Sequence, residues 1–235
     1  MAVGTTTDQL ARSASRDLPV PAITGWAGLI FFVLIVAQNA VRSSGPLNGA
    51  DSASVLAYAT NDSAALTVLL GLYPIGLLSL IVFGTGLRRL AQAAGGTPGW
   101  LADIGLVGLI LIAALFGISN LIEAALVSVA PALAGSPALV SAIWALHGAA
   151  FALNLAAIGV TLAGLSQAAA RANLAPGWTG TLGLIGAVLL VAGAIPVVAV
   201  TGGSALFAVG LAGFLCWVVW LAICAGSLIR SSRPA

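Results

Sequence analysis

Long apolar stretches recur along the chain, each bounded by short polar or Pro- and Gly-rich segments. An α-helix needs about 20 mainly apolar residues to cross a hydrocarbon core of about 30 Å. The pattern predicts six transmembrane helices, at residues 24–41, 64–90, 100–128, 138–167, 178–200 and 205–229. We therefore expect an all-α integral membrane bundle of three helical hairpins, with residues 21–230 forming a single transmembrane domain.

The two ends of the chain are polar. We expect residues 1–20 to form a disordered cytoplasmic tail and residues 231–235 to form a second, shorter cytoplasmic tail. The first apolar stretch is longer than the core of a signal peptide and ends in Gln38, Asn39 and Arg42. It is therefore interpreted as a span that the mature protein retains.

The 42–63 loop is the longest polar connection. Its middle, residues 52–60, predicts a short interfacial helix that presents Val55, Leu56 and Tyr58 to the lipid headgroups. Proline falls inside two of the longer predicted helices. Pro74 is expected to kink the second helix, and Pro196 lies near the end of the fifth.

Composition supports a membrane protein and excludes an ordinary soluble domain. The chain of 235 residues is 60% hydrophobic and 6% charged, whereas a soluble domain carries about 25% charged residues. The net charge of +2 raises the question of whether the protein binds nucleic acid. Because the arginines are scattered at helix ends rather than clustered on one face, we expect no nucleic-acid partner.

The arginines also predict the orientation in the membrane. With six spans, seven of them share one side, and Arg42 alone lies on the other; the seven are Arg12, Arg16, Arg88, Arg89, Arg171, Arg230 and Arg233. Positive charge favours the cytoplasmic side, so both termini are expected in the cytoplasm. All 8 basic residues are arginine, which with the abundant Ala and Gly is typical of a GC-rich bacterial genome. The sequence thus predicts a multi-pass protein of a bacterial plasma membrane.

A short phrase recurs at the start of two helices. Pro98-Gly99-Trp100 precedes the third predicted helix, and Pro176-Gly177-Trp178 precedes the fifth. This predicts an internal repeat of a two-helix unit, with tryptophan at the inner interface. The phrase, together with Asn48-Gly49-Ala50-Asp51, resembles a broad group of bacterial six-helix integral membrane proteins of no assigned activity. The resemblance implies the topology and no activity.

Glu123 and His147 are the only glutamate and the only histidine in the chain, and both fall inside predicted spans. Ionisable groups at membrane depth are costly, so any candidate site begins with them. Their helices share a short connection and should pack antiparallel, which places both side chains at a similar depth. We therefore expect Glu123 and His147 to meet across the interface between the third and fourth predicted helices.

Residues on the same helix faces extend this candidate into an outward-facing pocket between the third and fourth predicted helices. Trp144, His147, Phe151 and Asn154 succeed one another in three- and four-residue steps, and Asn120 lies near Glu123. The first helix is expected to add the rim. The candidate ligand-binding residues are Asn120, Trp144, Phe151, Asn154, Asn39 and Arg42.

Three functions remain open at this point. The first is a non-catalytic protein, either an accessory subunit or a binder of a small hydrophobic ligand. The second is an enzyme acting on a lipid or isoprenoid-like substrate, with Glu123 and His147 as a catalytic acid–base pair. The third is a small transporter with a water path past Asn154 and Thr161. The bland alternative is a structural clasp, since polar contacts between membrane helices need no function.

Familiar catalytic and metal-binding motifs are missing from the sequence. It contains no Walker loop, GxSxG, HExxH or CxxC motif, and one histidine cannot build a multi-histidine iron or haem site. We therefore expect no cofactor and no metal. Expected partners are the lipid bilayer, a small hydrophobic molecule, and either a second copy or another membrane protein. Gly148, Ala152 and Ala156 recur every four residues and predict close helix packing, within the chain or between copies.

Overall fold

The computed structural model describes residues 20–232, and every regular element in that range is an α-helix. The helices are α1 Val20–Arg42, α2 Ser52–Asn61, α3 Ser63–Ala93, α4 Thr97–Leu133, α5 Pro137–Arg171, α6 Trp178–Ala194, α7 Val197–Thr201 and α8 Phe207–Ser231. The predicted disordered tail lies outside the described residues except for Val20, which is helical. The same holds for the C-terminal tail beyond residue 232.

Five helices, α1, α3, α4, α5 and α8, are long and apolar enough to cross a membrane. The sixth apolar helix, α6, has 17 residues, which corresponds to about 26 Å. The chain is therefore a helical, multi-pass membrane protein. Most helices are several residues longer than predicted; α4, for example, reaches Leu133 and includes Pro131 in its last turn.

The long helices pack on their neighbours in chain order, and the circle closes where α8 packs on α1. The pair α4 and α5 makes the most extensive contact, and α5 is the most deeply buried helix. Their close approach depends on glycine, which has no side chain. A Cβ on Gly164 of α5 would overlap the backbone of Gly105 of α4, so these two helices approach almost backbone to backbone.

The predicted fifth helix, 178–200, is wrong in its length. α6 ends at Ala194, and residues 197–201 form the separate helix α7 with Pro196 at its N-cap. Proline has no N–H to continue the backbone ladder and its ring crowds the preceding turn. Pro74 in α3 and Pro131 in α4, by contrast, lie inside helices that continue past them.

The predicted loop helix exists as α2, which begins after the N-cap Asp51. The Asp51 carboxylate accepts a hydrogen bond from the backbone N–H of Ser54 at 2.9 Å, as N-cap residues do. The expectation that Val55 and Tyr58 face the headgroups is wrong, because they are 0% and 8% exposed. They pack into a small apolar cluster with residues of α3, α4 and α5, since the protein offers these side chains a more complete apolar contact than a headgroup layer does.

Two further features concern contacts within the bundle. Arg88 at the end of α3 donates a hydrogen bond to Asp103 of α4 and so links these two helices. Gly148 on α5 faces Asn48 and Thr201 of the same chain, and Ala152 is fully buried. These two small residues therefore serve packing within the chain.

Candidate functional site

The candidate site centres on an ion pair between Arg42, the last residue of α1, and Glu123 of α4. The Nε of Arg42 lies 3.0 Å from Oε1 and 3.1 Å from Oε2 of Glu123. Its Nη2 lies 2.6 Å from Oε2. The glutamate side chain is 3% exposed and the arginine side chain 19%. This two-pronged geometry is the strong form of a charge-assisted hydrogen bond.

Neighbouring polar groups complete the hydrogen bonding of Arg42. Its Nη2 donates to Oδ1 of Asn120 at 3.0 Å, and its Nη1 donates to Oε1 of Gln38 at 3.3 Å. The guanidinium also lies 5.8 Å from the ring centre of Phe116, within range of a cation–π contact. Helical spacing makes this possible, because Gln38 lies one turn before Arg42 and Phe116 one turn before Asn120.

His147 approaches the same carboxylate from α5. Its Nε2 lies 3.4 Å from Oε1 of Glu123. The imidazole stacks on Trp144, with ring centres 4.5 Å apart and planes 8° apart. The indole Nε1–H of Trp144 in turn donates to the carbonyl of Leu47 at 3.2 Å. Three helices therefore meet at this one carboxylate, and Trp144 links the 43–51 loop to the same site.

The structure thus brings Glu123 and His147 together, as their spacing predicted, and counting about 1.5 Å per residue places both about 15 Å from the connection at residues 134–136. It also corrects the expected two-residue arrangement. Arg42, predicted as part of a rim, is the closer partner of Glu123. A sequence signal for this existed: Arg42 is the one arginine predicted on the outer side, and Glu123 is the one buried acid on that side.

A narrow cavity of about 50 Å³ lies beside this network, bounded by α1, α4, α5 and α8. Five aromatic side chains and three isoleucines form most of its wall; the aromatic ones are Phe31, Phe116, Phe151, Phe214 and Trp217. Its polar lining consists of Asn39, Arg42, Ser119, Glu123, His147 and Asn154. The cavity therefore combines an apolar wall with several polar groups, as small-molecule sites do.

The predicted ligand-binding residues divide into two groups. Asn39, Arg42, Phe151 and Asn154 line the cavity. Asn120 and Trp144 lie behind it: the Asn120 amide supports Arg42, and Trp144 supports His147. Sequence reasoning missed the contribution of α8, because Phe214 and Trp217 sit in a uniformly apolar stretch that gives no local signal.

Two polar atoms at the cavity are buried without a hydrogen-bond partner among residues 20–232: Nδ1 of His147 and Oδ1 of Asn154. Asn154 is 4% exposed. A buried polar atom left unpaired costs about 1–3 kcal/mol, so each of these atoms is expected to bond to water or to another group. Within the same residues, no group of three or more His, Cys, Asp or Glu side chains could hold a metal ion.

The lining of the cavity on α5 ends at Ile158, one turn beyond Asn154. Thr161, two turns further along α5, is 1% exposed, and its hydroxyl donates to the carbonyl of Ala157 at 2.9 Å. Gly108 of α4 packs against the Thr161 backbone so closely that a Cβ there would overlap it. In this conformation the described residues leave no water path past Thr161.

Fold and site together define a multi-pass helical membrane protein with a charged network between its helices. No family model, curated protein or solved structure matches the chain. The function is therefore argued from the site alone.

Proposed function

We propose that the protein binds a small amphipathic ligand without catalysing a reaction on it. The observation that carries this proposal is the cavity, in which aromatic walls adjoin the unpartnered Oδ1 of Asn154 and Nδ1 of His147. An apolar ligand body would contact the aromatic wall, and its polar end would satisfy one of the buried polar atoms. This develops the prediction of a hydrophobic ligand by giving that ligand a polar end.

The arrangement of Glu123 favours binding over acid–base catalysis. Both carboxylate oxygens accept hydrogen bonds from Arg42, and Oε1 also faces His147. A general acid or base needs an oxygen that reaches the substrate proton. The Glu123 carboxylate instead bonds to groups from two other helices. We therefore propose that it mainly fixes the outer end of the cavity.

The cavity is smaller than the 300–1,000 Å³ that is usual for a small-molecule site. We therefore propose that only the polar end of the ligand and a few carbon atoms enter it. The rest of the ligand would lie along the apolar surface of the helices, in contact with lipid acyl chains. This fits a hydrophobic molecule that reaches the site from the bilayer.

The proposal also includes the orientation. With α6 counted as a span, Arg88, Arg89, Arg171 and Arg230 lie at one side of the bundle and the cavity network at the other. The positive-inside preference then places both termini in the cytoplasm of a bacterial cell and the Arg42–Glu123 network in the outer half of the plasma membrane.

Native mass spectrometry of the protein purified in a mild detergent tests the binding proposal. We expect a population that retains a small molecule distinct from bulk phospholipid. Ile158→Phe, which adds volume at the cavity wall, should remove this population. Leu153→Phe is the matched control, because Leu153 on the same helix is 48% exposed. Equal retention by both variants, or no bound molecule in the unsubstituted protein, would contradict the proposal.

A further inference from the structure

The unpaired atoms at the cavity indicate which chemical group the ligand presents. One of the two, the Oδ1 of Asn154, is an amide oxygen, which only accepts hydrogen bonds. This buried atom therefore requires a hydrogen-bond donor from the ligand.

The two unpaired atoms are too far apart to be bridged by one small group. His147 and Asn154 are separated by about two turns of α5, or about 10 Å along the helix axis. Asn154 is the deeper of the two, is 4% exposed, and has an amide that offers a donor as well as its unpaired acceptor. It therefore suits a group that both donates and accepts.

The charges near the cavity disfavour an ionic ligand. Arg42 and Glu123 neutralise each other in a complete ion pair, and the Nε2 of His147 also faces Glu123. The other polar lining side chains, Asn39, Ser119 and Asn154, carry no charge. A charged ligand group would enter an apolar cavity with no free counter-ion, which is costly at membrane depth. The ligand end is therefore uncharged.

We infer that the cavity recognises an uncharged hydroxyl group on an apolar body, a lipid-soluble alcohol or phenol, and that its O–H donates to Oδ1 of Asn154. This inference rests on the proposed binding function and specifies its ligand class. The aromatic wall accommodates the carbon atoms next to the hydroxyl. A ketone, ester or ether of the same size lacks the hydrogen that Asn154 needs.

The single histidine makes a site-specific test possible. Protein labelled with ¹⁵N and ¹³C at histidine and held in lipid nanodiscs gives one imidazole signal set, from a residue that lines the cavity. The probes are 1-octanol and methyl heptyl ether, which have equal numbers of heavy atoms and differ in the O–H. If a probe occupies a site, the imidazole chemical shifts reach a plateau as the probe concentration rises. If the probe only partitions into lipid, they do not reach a plateau.

We expect 1-octanol to bind about three- to twentyfold more tightly than the ether, as for one hydrogen bond between membrane-embedded groups. Asn154→Leu should reduce this preference to about onefold. Thr161→Val is the control and should retain it, because the Thr161 hydroxyl is already bonded within its own helix. Even if Asn154→Leu does not fold, the comparison of the two probes on the unsubstituted protein tests whether the site prefers a hydroxyl group.

Equal saturation by both probes would overturn the hydroxyl inference and leave the binding function standing. Saturation by neither probe would also overturn it, while a retained molecule in native mass spectrometry would still support binding. Tighter binding of octylammonium than of 1-octanol would overturn the assignment of an uncharged group.

Discussion

The guanidinium of Arg42 and the carboxylate of Glu123 form a two-pronged ion pair between the end of α1 and the C-terminal part of α4. The residues are 81 positions apart in sequence, and the acid is almost fully buried. Because Asn120, Gln38 and His147 bond to the same pair, the network joins three helices at one point.

Removing one partner of this pair should be strongly destabilising. Arg42→Met leaves an uncompensated buried carboxylate, and the expected loss in free energy of unfolding is about 3–5 kcal/mol. The double variant Arg42→Met with Glu123→Leu should lose much less than the sum of the single variants, since it leaves no unpaired charge. Unfolding by a denaturing detergent measures both.

The matched control is the ion pair of Arg88 and Asp103, whose side chains are 39% and 47% exposed. Arg88→Gln should change the free energy of unfolding by about 0–1 kcal/mol, because water already screens this pair. Losses that simply add in the Arg42 and Glu123 double variant would show that the two residues are not coupled.

A methyl group at the α4–α5 crossing should also destabilise the bundle. In Gly164→Ala the new Cβ would overlap the backbone of Gly105, which cannot move as a flexible side chain can. We expect a loss of about 1–3 kcal/mol in the free energy of unfolding. Gly71→Ala in α3 is the control: nothing lies within 4 Å of its Cβ, so this variant should be neutral or gain up to about 1 kcal/mol. A Gly164→Ala variant as stable as the Gly71→Ala control would refute the close approach.

Tyr58 of α2 provides a pH-dependent prediction. Burial, with the nearby charge of Glu123, raises the pKa of Tyr58 from 10.0 to about 12. The folded state therefore holds the phenol proton more tightly than the unfolded state. This contribution to stability is fully present below pH 10.0 and is lost as the pH rises through about 12.

The Tyr73→Phe variant isolates this titration, because it leaves Tyr58 as the only tyrosine. Its ultraviolet tyrosinate absorbance should rise with a midpoint near pH 12 in the folded protein and near the ordinary value of 10.0 in denaturant. A folded-state midpoint at the ordinary value would mean that Tyr58 faces water.

The orientation can be tested with introduced cysteines and a membrane-impermeant maleimide. Ser43→Cys, beyond the end of α1, should react in intact cells, whereas Ala94→Cys, after α3, should react only once the membrane is opened. The native Cys216 and Cys224 both lie within α8, so the unsubstituted chain is the control and should stay unlabelled. The reverse pattern would place both termini outside.

Periodicity predicted the meeting of Glu123 and His147 because it depends on two adjacent helices with a short connection. It did not predict Arg42 as the main partner, since that requires knowing where α1 packs against α4. The same limit applies to Phe214 and Trp217 of α8. All three contacts are between helices distant in sequence, and local pattern carries no information about them.

The helix bounds show a second limit. Proline ends a helix at Pro196 and is accommodated at Pro74 and Pro131, although the residue is the same. Membrane helices tolerate proline where neighbouring groups satisfy the freed carbonyls, and this depends on packing that the local sequence does not encode. For α2, apolar residues in a polar loop were expected to face lipid headgroups, yet Val55 and Tyr58 found a protein partner instead.

The distance in sequence between Arg42 and Glu123 has a consequence for how the protein is made. Synthesis delivers α1 to the bilayer long before α4 emerges from the ribosome, and segments fold in that order. During this interval the arginine has no carboxylate of α4 to pair with, and lipid phosphates can neutralise it. The buried pair can close only after the acid-bearing helix has been inserted, so its closure is a late step that marks a correctly assembled chain.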